Sequence, residues 1–147
     1  MSAVPLARGG LGPIVAGALM LAWPALAATV EVEVDGIEAG GPVYVALCQG
    51  GLTEASCTDG QDASAGGASR RFVFRDVEAG TYAVAAFQDM NGNRRLDRTG
   101  LGLPQEPYGF SGDAGRRARP DFARAAFGLR EPGTVIRVRL VRALARR

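Results

Sequence analysis

The chain has no histidine and no lysine. Without histidine there is no Ser–His or Cys–His nucleophile pair, and no imidazole to hold a metal. Without lysine every basic side chain is an arginine, 17 in all against 15 acidic residues. The arginines are scattered, with a small excess in the C-terminal "RVRLVRALARR". Nucleic-acid binding requires a concentrated basic face, so nucleic acid is not expected as a partner.

Long apolar runs are scarce too. The only one, Leu11 to Trp23, is broken by Pro13 and glycines and is short for a membrane span. Arg8 precedes it and Ala25-Leu26-Ala27 follows it, a small-x-small pattern. That is the layout of a secretory signal peptide. Residues 1–27 are therefore expected to be removed, leaving 28–147 as a single domain, periplasmic or secreted. No cysteine follows the cleavage point, so a lipid anchor is not indicated. Nothing later in the chain is long and apolar enough to span a bilayer, so the mature protein is expected to be soluble.

There are only two cysteines, Cys48 and Cys57, and their spacing is not that of a CxxC redox motif. In an exported chain they are expected to pair. Closing so short a loop contributes on the order of 2–3 kcal/mol in the chain-entropy estimate.

What is present is mostly strand pattern. In "TVEVEVDG" (29–36) Val30, Val32 and Val34 alternate with Glu31, Glu33 and Asp35, as in a half-buried antiparallel strand. "GPVYVALC" (41–48) is apolar on both faces and reads as a central strand, joined to the first by a Gly-rich link that suits a hairpin. Residues 49–69 read as a surface loop. "RRFVFRDV" (70–77) is a third strand, and "TYAVAAFQD" (81–89) a fourth, again apolar on both faces. From Met90 to Pro120 no period is sustained, although Leu96, Leu101, Leu103, Tyr108 and Phe110 could anchor the segment. Residues 121–130 fit a short helix or a strand, and are taken as a turn leading into a strand. "TVIRVRLVR" (134–142) alternates once more. The expected fold is all-β: an antiparallel two-sheet sandwich, immunoglobulin-like or transthyretin-like, of about seven strands with one long ordered loop.

The chemistry concentrates in "FQDMNGNRRLDRTGLGLPQEPYGFS" (87–111). Asp89, Asn91 and Asn93 offer oxygens at two-residue spacing, Arg95 its backbone carbonyl, and Asp97 and Glu106 further carboxylates. These hard oxygen ligands suit Ca2+. Arg94 and Gly100 stand where an EF-hand needs Gly and a bidentate Glu, so the match is partial. The competing reading is a metal-free, Asx-rich turn.

The run from Asp76 to Phe127 resembles the bacterial family of domain of unknown function 2141. The resemblance rests on Gly80, Tyr82, Asp89, Asn91, Gly92, Asn93, Leu96, Asp97, Gly102, Pro104, Glu106, Tyr108, Gly109, Phe110, Ser111, Pro120, Phe122, Ala126 and Phe127. Gln88 stands where that family usually has His, and Ala79 where it has Pro. The resemblance implies an exported β-sandwich and names no activity.

Three functions from different classes are expected, the first ahead of the other two. The first is a non-enzymatic binding or accessory module that presents Leu103, Tyr108 and Phe110, with an envelope protein or a small molecule as its partner. For these aromatics the alternative is that they plug the end of the sandwich. The second is a small hydrolase using Asp97 or Asp89 with Glu106. The third is a structural envelope protein assembling through the edges of its first and last strands.

Overall fold

The computed structural model describes residues 10, 12, 17–22, 27–112 and 120–144. The expected leader, 1–27, falls largely outside the described residues. No helix among the described residues is long and apolar enough to cross a membrane.

Among the described residues eight strands form two sheets. They are β1 (Ala27–Asp35), β2 (Val43–Cys48), β3 (Asp59–Ala63), β4 (Ser69–Glu78), β5 (Gly80–Gln88), β6 (Tyr108–Phe110), β7 (Phe127–Leu129) and β8 (Gly133–Arg139). A single-turn helix, α1 (Phe122–Ala125), precedes β7, with the Asp121 side chain accepting from the Ala123 N–H. The smaller sheet runs β4-β1-β8; the larger runs β3-β2-β5-β6, with β7 also paired to β5.

The valine alternation of β1 has the expected cause. Val30, Val32 and Val34 are wholly buried, and Phe72 and Phe74 lie beside them on β4. They meet Val43, Val45 and Leu47 of β2 and Val84 and Ala86 of β5 across the interface, with Val138, Leu129 and Leu140 closing the core. On the solvent face of the small sheet, register puts Glu33 between Arg71 and Arg137, and both guanidiniums reach it at 3.1 Å. Such exposed pairs add little stability each, but they favour this register over a slipped one.

Several expectations are corrected. The link 36–42 is not a hairpin, because β1 and β2 belong to different sheets. The sandwich is not wholly antiparallel, since β1 and β8 pair in parallel. β1 is the middle of its sheet rather than an edge. The segment 49–69 contains β3 and a 3-10 turn (Glu54–Ser56), and 90–120 contains β6. The disulfide Cys48–Cys57 is formed.

β2 and β5 are apolar on both faces because most of both faces is covered. Behind the large sheet lies a second cluster of Cys48, Ala83, Tyr108, Phe110 and Ala125, with Leu52, Cys57, Leu96 and Phe122 packed against it. The two sheets also touch at one edge, where Tyr108 and Val141 exchange backbone hydrogen bonds of 3.0 and 2.8 Å. Next to that junction Gly109 presses on the backbone of Arg139, whose carbonyl oxygen stands too close to admit a β-carbon.

Gly109→Ala is expected to destabilise the fold by about 3 kcal/mol through this collision. Gly128→Ala, where a β-carbon meets nothing within 4 Å, is expected to be neutral or stabilising. Denaturant midpoints of the two variants against the parent check both.

Candidate functional site

β5 ends at Gln88, and Asp89 follows it into the loop, wholly buried. A buried carboxylate demands donors. Asp89 finds three in consecutive backbone N–H groups: Oδ1 accepts from Gly92 at 2.9 Å and Asn93 at 3.2 Å, and Oδ2 accepts from Arg94 at 2.7 Å. The two-residue spacing of the asparagines then becomes intelligible as turn chemistry. Asn91 Oδ1 accepts from the N–H of Asn93, and Asn93 Oδ1 from that of Arg95. Both side-chain amides donate to Asp97, Asn91 at 2.6 Å and Asn93 at 3.0 and 2.8 Å.

Glu106 ties off the loop from the other side. Its Oε1 accepts from the Met90 N–H at 2.8 Å and its Oε2 from the Asp97 N–H at 3.2 Å. Gln88, also wholly buried, clamps the link between β1 and β2: it accepts from the Glu38 N–H and donates to the carbonyls of Glu38 and Gly41. Glu38 in turn holds Arg142 in a two-pronged pair of 2.7 Å each. That hydrogen bond is the main cause raising the Arg142 pKa, with burial opposing it. Arg142 also reaches the Gln105 carbonyl at 3.4 Å, so the segment after β8, the first link and the loop meet at one corner.

The expected metal ligands are thus brought together, but as a hydrogen-bonded knot. Asp89 and Glu106 each direct both carboxylate oxygens at backbone N–H groups, and Asp97 receives amides. Among the described residues no three His, Cys, Asp or Glu side chains are grouped as a metal site. Arg95 gives its N–H to the knot and borders a cavity. Of the expected contact residues, Tyr108 and Phe110 are buried at 7% and 8% exposure and pack edge to face, 6.0 Å apart. Their placement is that of plugs, although Phe110 still borders the cavity. Leu103 is half-buried at the loop's outer turn, where its N–H meets the Thr99 hydroxyl.

The cavity itself lies on the outer face of the large sheet and encloses about 830 Å³. Its shape follows from cross-strand register. One row across the sheet reads Gly60, Ala46, Ala85 and Phe110. The next reads Asp62, Tyr44, Phe87 and Tyr108. Side chains in one row stand about 7 Å from those in the next, two residues along each strand. Small residues in the first row make a floor; the second row makes a wall. In that wall Tyr44 and Phe87 stack at 5.2 Å with planes 12° apart, and both are half-buried. Leu52, Glu54 and Cys57 of the disulfide loop border the trough, as do Arg94, Arg95, Leu96 and Arg98 of the long loop.

The trough is not legible in the sequence. Tyr44 and Phe87 were visible as apolar strand residues, but only pairing sets them side by side. Arg94 was visible only as an obstacle to an EF-hand. Here it is one of two non-glycine residues with positive φ among the described residues, at 62°, because the knot needs its N–H turned toward Asp89. A left-handed conformation costs a side-chain-bearing residue about 1 kcal/mol.

The knot generates a ranked stability prediction. Asp89→Ala leaves three N–H groups without their acceptor in a buried place and is expected to cost about 3 kcal/mol. Asp97→Ala removes half-exposed amide contacts and is expected to cost about 1 kcal/mol. Arg94→Gly relieves the backbone and is expected to stabilise by up to about 1 kcal/mol. Urea denaturation of the three variants checks the order.

No curated protein and no solved structure matches the chain. The family model described as "Uncharacterized protein conserved in bacteria (DUF2141)" matches residues 32–137. That span runs from the middle of β1 nearly to the end of β8 and includes the knot, the trough and both sheets. The chain belongs to the DUF2141 family of bacterial proteins.

Proposed function

We propose that this protein is an exported, non-enzymatic binding module, and that the trough is its working surface. The observation that carries the reading is the half-buried Tyr44–Phe87 stack beside a floor of small side chains. The rest of that sheet face is covered by loops and α1, so this gap in the cover exposes apolar surface to solvent. Its volume is within the range typical of small-molecule sites, roughly 300–1,000 Å³.

Export is supported by the leader pattern of residues 1–27 and by the Cys48–Cys57 bond. A non-enzymatic role is supported by the absence of histidine and by the commitment of Asp89 and Glu106 to backbone N–H groups. Assembly through strand edges has weaker support: β1 is interior, and the β8 edge carries Arg137 and Arg139.

The test is a neutral, environment-sensitive dye, N-phenyl-1-naphthylamine. Its fluorescence is expected to rise on the parent protein. The rise should be lost when Ala46→Leu and Ala85→Leu fill the floor while the circular dichroism stays unchanged. An equal rise on the filled variant would remove the trough as the working surface.

A second reading, calcium in the knot, is favoured by the convergence of Asn91 and Asn93 on Asp97. The ion would displace the two amide groups from that carboxylate and turn their carbonyl oxygens inward. The nearby arginines would hold affinity to a modest level. On this reading millimolar Ca2+ raises the thermal midpoint and chelator reverses it. An unchanged midpoint ends it.

A further inference from the structure

We infer that the trough takes a small molecule with a flat, apolar body and one acidic group, the body laid against Tyr44 and Phe87 and the acid held by Arg94 and Arg95. The inference rests on the trough being the binding surface and adds the chemical class of its occupant.

Three observations support it. The first is the lining, which pairs a stacked aromatic wall with a floor of Gly60, Ala46 and Ala85. A flat body can lie over small residues and beside rings, where contact area is gained with little ordering cost. The second is the state of the arginines. Neither Arg94 nor Arg95 makes a side-chain hydrogen bond or ion pair with a described residue, although both border the trough. Arg98 differs, since its guanidinium already donates to the Gly102 carbonyl at 3.1 Å. The third is the backbone of Arg94. Glycine would satisfy φ of 62° without strain, yet a long cation stands there. Strained residues concentrate where a binding site needs a side chain aimed.

The charge balance selects for an acid. Three arginines border the trough against two carboxylates, Glu54 and Asp62. A planar guanidinium matches a carboxylate, sulfonate or phosphate through paired N–H donors. Glu54 and Asp62 would repel an anion placed at random, so the acid is expected at the arginine end alone.

The experiment uses two dyes of similar body on the full-length, oxidised protein. One is 8-anilinonaphthalene-1-sulfonate, which carries an acid. The other is neutral N-phenyl-1-naphthylamine. The sulfonate is expected to bind the parent more tightly than the neutral dye, and to weaken as salt is raised. Arg94→Gly and Arg95→Gln are each expected to weaken the sulfonate about tenfold, as for loss of one charge-assisted contact. Neither should change affinity for the neutral dye. Arg94→Gly also keeps the loop's preferred backbone, so its binding loss cannot be ascribed to unfolding. Sulfonate affinity unchanged in both variants, with neutral binding intact, would overturn the acid preference and leave the trough standing. No binding of either dye, or undiminished binding after Ala46→Leu with Ala85→Leu, would overturn the trough and the inference together.

Discussion

The large sheet has two apolar faces and only one partner sheet. Everything irregular in this fold follows from that imbalance. Val43, Val45 and Leu47 face the small sheet, while Tyr44, Ala46 and Cys48 face away from it. β5 repeats the arrangement, with Val84 and Ala86 inward and Ala83, Ala85 and Phe87 outward. An apolar sheet face left in water is costly, at about 25 cal/mol for each Å². The chain covers it with what its connections can supply: the disulfide loop, α1 and the long segment after β5. Irregular backbone makes an incomplete roof, and the trough is the part it leaves open.

A roof made of loop must satisfy its own polar groups, because no ladder does it. Asp89 is the keystone. Its carboxylate does for three N–H groups what strand neighbours would otherwise do, and it is buried where the large sheet ends. Gln88 and Glu106 extend the same solution to the adjoining links. No buried side-chain nitrogen or oxygen among the described residues lacks a partner. The loop can therefore be long and still ordered, with Leu96 pressed onto the second cluster as its apolar pin. This is also why Gln serves at position 88. The place calls for one acceptor and two donors in fixed directions, and a neutral amide supplies them without a charge to bury.

Much of this was legible in the residues. The alternation of Val30, Val32 and Val34 predicts a half-buried strand because side chains alternate faces in any strand. The two-sided apolarity of β2 and β5 foretells a covered sheet, and the pair Cys48–Cys57 its fastened loop. What was not legible is whatever depends on pairing between distant segments. β1 and β8 lie about a hundred residues apart in the chain, and nothing in either pattern names the other as a parallel neighbour. β3, "DGQDA", has no apolar period at all; it is a strand only because β2 offers it a ladder. β6 is three residues within a polar-looking segment, placed by β5 on one side and Val141 on the other. The trough depends on register most of all. A floor of Gly60, Ala46 and Ala85 does not exist until three strands are aligned.

The metal-like spacing of Asp89, Asn91, Asn93 and Asp97 shows how one pattern can answer to two physics. Alternating oxygens can converge on a cation, and they can equally accept from N–H groups two residues on. Both need a curled backbone, so the pattern alone cannot separate them. In this loop the curl is accounted for by the hydrogen bonds, and it has a consequence for the trough. Turning the Arg94 N–H toward Asp89 fixes the direction of the Arg94 side chain, because φ and ψ set where Cβ points. The knot that makes the roof stable thereby decides where its cations stand. The stability of the loop and the placement of a cation beside the trough are separable at Arg94, whose side chain leaves the knot, and inseparable at Asp89, which makes it.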